Sequence, residues 1–112
     1  MVVNVHKRKL DTSAETVGVL IDGLASDDDR LWPHEWWPAM RFDGPLGVGA
    51  AGGHGPIRYT VEWFEPGEGI WFRFTGPAGF DGGHGFFAHP EDGDTVLEHR
   101  LEMKLQGGAR LS

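Results

Sequence analysis

The sequence contains no cysteine, so neither a disulfide framework nor a thiolate metal site can hold the chain together. Basic residues are also scarce. Ten lysines and arginines face seventeen aspartates and glutamates, a formal net charge of −7. Gripping nucleic acid or an anionic membrane needs a basic face, and only Lys7, Arg8 and Lys9 cluster. The expectation is no nucleic-acid partner and no membrane partner. No apolar run approaches the ~20 residues of a membrane-spanning helix. The opening MVVNVHKRKL has no apolar stretch ahead of a small-residue cleavage site, so it does not read as a signal peptide. The chain is therefore expected in the cytoplasm, as one domain over residues 1–112.

Glycine and aromatic residues are plentiful instead: eighteen Gly, five Trp and seven Phe, with a single Tyr. Many turn-formers plus many aromatics read as sheet with tight connections. Val2 to Leu10 is a β-branched run and reads as a first strand. Thr12-Ser13-Ala14-Glu15 fits a capping box with Thr12 as N-cap, and Val17, Leu20, Ile21 and Leu24 follow at the spacing of one buried helix face. Asp27 to Asp29 suit the start of a second short helix carrying Leu31, Trp32, Trp36 and Trp37. Residues 44–56 read as a glycine-rich loop.

After that loop the period becomes two. Tyr59, Val61 and Trp63 share one face; Ile70, Phe72 and Phe74 share another. Pro66-Gly67 marks a turn, GPAGFDGGHG reads as a bend, and Asp92-Gly93 between apolar runs is a hairpin signal. In the last strand Leu97, His99, Leu101 and Met103 point one way, and Glu98, Arg100, Glu102 and Lys104 the other. The order predicts an α+β fold whose strands are antiparallel neighbours with one aromatic face to be covered.

The helix pair at 12–40, the loop GVGAAGGHGPIRYTVEWFEPG and the strand TVLEHRLEMKL resemble the SRPBCC superfamily, which includes START-like, birch-pollen-allergen-like and polyketide cyclase-like proteins. The resemblance implies a helix-grip fold: a curved antiparallel sheet, two short helices after the first strand, and a pocket on the concave face. The family's long C-terminal helix has no counterpart up to Ser112. Either the chain is truncated at its C-terminus, or a partner covers the apolar face, in which case a homodimer is expected.

Gly47 to Gly52 matches G-x-G-x-x-G, but a strand follows it where a dinucleotide site needs a helix. GGHG occurs twice, at Gly52–Gly55 and Gly82–Gly85. His54, His84 and His99 invite a metal reading, yet their spacings match no metal motif, so neither metal nor cofactor is expected. The competing expectation puts His54 on a solvated loop and His84 at a strand start. His99, between Leu97 and Leu101, is either a satisfied core histidine or a polar anchor.

The primary expectation is a site for a small, largely hydrophobic molecule, lined by Trp37, Tyr59, Val61, Trp63, Phe72 and Phe74 and by His84, Phe86, Leu97, His99, Leu101 and Met103. The alternatives are a polyketide cyclase- or dehydratase-like enzyme using His99 with Tyr59 or His84, and a protein-interaction module.

Overall fold

The computed structural model describes residues 2–105, so the tail in which no second long helix was expected lies outside the described residues. In chain order the elements are β1 (Val2–Leu10), α1 (Ala14–Asp22), β2 (Arg41–Phe42), β3 (Ala51–His54), β4 (Ile57–Glu65), β5 (Gly69–Gly76), β6 (Phe80–Glu91) and β7 (Asp94–Leu105). The strands form one seven-stranded sheet in the order β1-β7-β6-β5-β4-β3-β2, antiparallel throughout. From β3 onward each strand pairs with the next, as short turns dictate. Asp92 and Gly93, at φ 51° and 85°, make the tight β6–β7 hairpin. The first strand closes the sheet against the last, with His6 opposite His99.

Helix α1 begins one residue later than the capping-box reading placed it. Ser13 is the N-cap, and its hydroxyl accepts the Thr16 N–H. The Thr12 carbonyl instead accepts the hydroxyl of fully buried Thr95 at 2.9 Å, which ties the β1–α1 corner to β7. Val17 and Ile21 are buried on the inner helix face. Gly18 lies against the backbone of Gly67, where any Cβ would overlap the Gly67 carbonyl. The Asp22 carboxylate accepts the Gly67 N–H at 2.9 Å. The helix is thus seated on the Pro66-Gly67 turn by one missing side chain and one hydrogen bond.

The second expected helix does not form: residues 27–38 are bends and turns, leaving one helix among the described residues. Pro33 explains this: it has no N–H to give and its ring disfavours a helix interior. One carboxylate oxygen of Asp29 accepts the N–H groups of Leu31 and Trp32 and the other that of Ala25, closing turns on both sides of it. Trp32 Nε1 donates to the Pro38 carbonyl at 2.9 Å and folds the segment back on itself.

The glycine-rich stretches also differ from expectation. The loop at 44–56 contains β3, and the bend at 76–85 contains the first half of β6. At Gly82, with φ 143°, a Cβ would overlap the Glu102 carbonyl of β7, so glycine here permits close strand approach.

One face assignment is corrected. Val61 pairs with Phe72, but Trp63 pairs with Trp71, so Glu62 is an extra residue that bulges the strand. Trp63 is turned to the convex face, 44% exposed, with its ring 6.0 Å from Phe87. Tyr59, Val61, Ile70, Phe72, Phe74 and Phe86 remain on the concave side and join Ile21, Leu24, Trp32 and Met40 in the core.

The Gly18 seat predicts that Gly18→Ala loses ~1–3 kcal/mol of stability despite alanine's higher helix propensity. Urea unfolding checks it, with Val19→Ala on the exposed helix face as control. A Gly18→Ala variant as stable as the parent chain would show that the helix is not seated this way.

Candidate functional site

A cavity of about 220 Å³ opens on the concave face. Its wall is formed by Trp32, Trp37, His54, Ile57, Phe74, Phe80, His84, His99, Leu101 and Met103. Of the residues expected to line it, Trp37, Phe74, His84, His99, Leu101 and Met103 meet there. Tyr59, Val61, Phe72 and Phe86 are buried in the core around it, Leu97 packs against that core, and Trp63 lies on the other side of the sheet.

The strand registers explain the assembly. Phe72 pairs with His84, His84 with Leu101, and Phe86 with His99, so these side chains share the concave face of three adjacent strands. His54 was expected on a solvated loop, but it belongs to β3. Gly55-Pro56 is a two-residue hairpin connection that sets His54 opposite Ile57. Tyr59 lies two residues beyond Ile57 on the same face, within diagonal reach of His54. The Tyr59 hydroxyl and His54 Nδ1 are 2.8 Å apart. A two-residue Gly-Pro loop between potential strands was the sequence signal for this hairpin, and period two from Tyr59 back to Ile57 then gives the shared face.

Three histidines and one tyrosine thus form the polar part of an aromatic wall. The His84 ring is 4.4 Å from Tyr59 in an edge arrangement, 5.9 Å from His99 and 6.4 Å from His54. His84 therefore stands between Tyr59 and the expected partner His99, and the hydrogen bond of Tyr59 is shared with His54. The His54 ring stacks on Trp37, with 12° between planes, and lies 4.7 Å from Trp32. Phe86 lies 4.6 Å from His99.

Burial keeps these imidazoles neutral. His84 is pushed down to about 3 by burial, then by neighbouring His99 and His54. His99 is lowered by burial and by His6 across the β1–β7 pair, and His54 by burial and by Arg58. Burial raises the Tyr59 phenol above its usual range, partly opposed by Arg58. Nε2 of His84 and Nε2 of His99 are buried without a hydrogen-bond partner among the described residues. Among those residues no group of three or more His, Asp or Glu side chains is arranged to hold a metal ion. No helix among them is long and apolar enough to cross a membrane.

No protein-family model and no curated protein matches this sequence. Solved structures do. A protein from Nitrosospira multiformis aligns with a TM-score of 0.73 at 16% identity, over 96% of this chain and 81% of its own. The Aha1 dimer from Colwellia psychrerythraea aligns at 0.66 and 16%, over 95% and 79%. CalU16 from Micromonospora echinospora aligns at 0.65 and 15%, over 88% of this chain and 59% of its own. At these identities the likeness shows the fold alone: a curved antiparallel sheet of the helix-grip type.

The buried histidine also makes stability depend on pH. The unfolded chain binds a proton at His84 near 6.5, and the folded chain refuses it down to about 3. Between these values the unfolded state holds more protons, so stability is complete above pH 6.5 and falls as the pH drops towards 3. His84→Phe is expected to flatten this decline by up to ~1.4 kcal/mol per pH unit. Urea midpoints at pH 7, 6 and 5 measure it, and parallel slopes for parent and variant would contradict it.

Proposed function

We propose that this protein binds a small, largely apolar molecule in the concave-face cavity. The observation that carries this reading is an aromatic cavity holding buried, neutral imidazoles with unpartnered nitrogens. At about 220 Å³ the space is smaller than the ~300 Å³ of a drug-sized pocket, so the ligand is of one- or two-ring size. The SRPBCC-type fold supports the same reading.

Naphthalene-class compounds should raise the melting temperature. At one hundred times Kd the stabilisation would be ~2.7 kcal/mol. Leu101→Trp, which fills the cavity, should keep a cooperative melt and lose the shift. Thermal shift that is flat across all one- and two-ring aromatics would remove this reading.

A homodimer is supported by a separate observation. Val2, Val3 and Val5 are exposed on β1, an edge strand with one unpaired side. Light scattering is expected to return the mass of two chains; the mass of one chain at all concentrations would exclude it.

A further inference from the structure

Tyr59 is the only tyrosine in the chain and is fully buried. The direction of its hydrogen bond to His54 follows from counting protons. The Tyr59 hydroxyl has no second hydrogen-bond partner among the described residues. If the imidazole donated, the phenolic O–H would be buried with no acceptor. The phenol therefore donates, Nδ1 of His54 accepts, and the neutral ring carries its proton on Nε2. The ring cannot turn freely, because it is stacked on Trp37 at 5.7 Å and set against Trp32 at 4.7 Å. His54 is part of the cavity wall, and its Nε2 is neither hydrogen-bonded nor enclosed among the described residues. The arrangement leaves one oriented N–H donor in an aromatic site.

We propose that His54, oriented by Tyr59, is the hydrogen-bond donor of the cavity, and that the ligand is a one- or two-ring aromatic compound whose carbonyl oxygen accepts this N–H. The inference rests on the ligand-binding reading above and adds the ligand's chemical class. A hydrocarbon would strip water from the donor and give nothing back. A charged ligand would lose its hydration to a wall of neutral rings. A flat ketone or aldehyde stacks on the tryptophans and satisfies the donor. Tyr59 is a positioning residue in this scheme; it holds the tautomer and the ring plane of His54.

The test compares 2-acetylnaphthalene with 2-isopropenylnaphthalene, which has the same shape with CH₂ in place of the carbonyl oxygen. Calorimetry on the full chain should show the ketone binding about tenfold tighter, the weight of one net hydrogen bond. In His54→Phe that preference should vanish while the hydrocarbon keeps its affinity within about twofold. In Tyr59→Phe it should shrink, because the ring loses its fixed tautomer. Nitrogen-15 NMR of the ligand-free chain should show His54 with Nδ1 unprotonated and Nε2 protonated. That measurement on the unaltered chain decides the dyad even where Tyr59→Phe fails to fold. Equal affinity for the two probes, a preference that survives in His54→Phe, or a proton on Nδ1 would overturn the inference. Binding of neither probe would overturn the ligand class together with the pocket reading beneath it, whereas the tautomer result stands apart from both.

Discussion

The structure depends on covering one face of one sheet. The concave side carries Tyr59, Val61, Ile70, Phe72, Phe74 and Phe86, all buried. Each large side chain of this kind contributes ~1.5–3 kcal/mol when removed from water. The only helix among the described residues is nine residues long, about 13 Å, too short to shield seven strands. The irregular segment between α1 and β2 completes the cover. It delivers Leu24, Trp32 and Met40 to the core, each nearly fully buried. Its shape is set by the Asp29 carboxylate and the Trp32 indole N–H, two polar anchors that let a chain without helical hydrogen bonds lie over apolar rings. The cavity lies where this cover runs out, between Trp32 and Trp37 on one side and β6 and β7 on the other.

The opposite face uses aromatics differently. The bulge at Glu62 sends Trp63 outward to line up with Phe87 and Trp71, at 6.0 and 6.2 Å between successive rings. A side chain on Gly83 or Gly85 would run into the Trp71 ring, and one on Gly69 into Phe87 and Trp63. The glycines and the rings are therefore one device: bare backbone on one strand is shielded by a ring from the next. Around it Arg73 is held by Glu62 at 2.9 Å, and Arg100 by Glu98 and Glu102 at 3.3 Å. Both arginines are thus paired with carboxylates of the same sheet.

The parts of this fold that could be read in the sequence are those in which side chains alternate. Tyr59 to Val61, Ile70 to Phe74 and Leu97 to Met103 declared their faces by period two, and the structure keeps those faces. The Asp92-Gly93 hairpin was equally legible, because both residues suit positive φ. Glycine-rich strands were not, since a residue without a side chain has no face to declare; β3 and the start of β6 passed as loops. Trp63 was misassigned because a bulge shifts the alternation by one and leaves no mark in composition. The helical reading of 27–38 failed because Pro33 disfavours a helix interior and an aspartate that can cap a helix can equally close a turn. Of the candidate site, His99 followed from strand periodicity, whereas His84 lay in a glycine-rich stretch read as a bend and was placed only at a strand start. His54 and its bond to Tyr59 required knowing that Gly55-Pro56 joins two strands.

The choice of histidine as the polar element follows from where it sits. A carboxylate or an ammonium on this wall would lose its hydration to aromatic rings and would need a buried counter-charge. Imidazole can be neutral and still offer one donor and one acceptor. His99 and His54, with rings 5.9 and 6.4 Å from His84, also oppose its protonation, so burial and these neighbours act in the same direction. The site is therefore polar without being charged at neutral pH, within a chain whose formal net charge is −7. Under the proposed reading, selectivity rests on where the donor and acceptor atoms point, and that is fixed by strand register: β3 against β4 aims His54 at Tyr59, and β6 against β7 sets His84 beside Leu101 and Phe86 beside His99. A one-residue slip in either pair would turn these side chains to the convex face and strip the concave face of its polar groups.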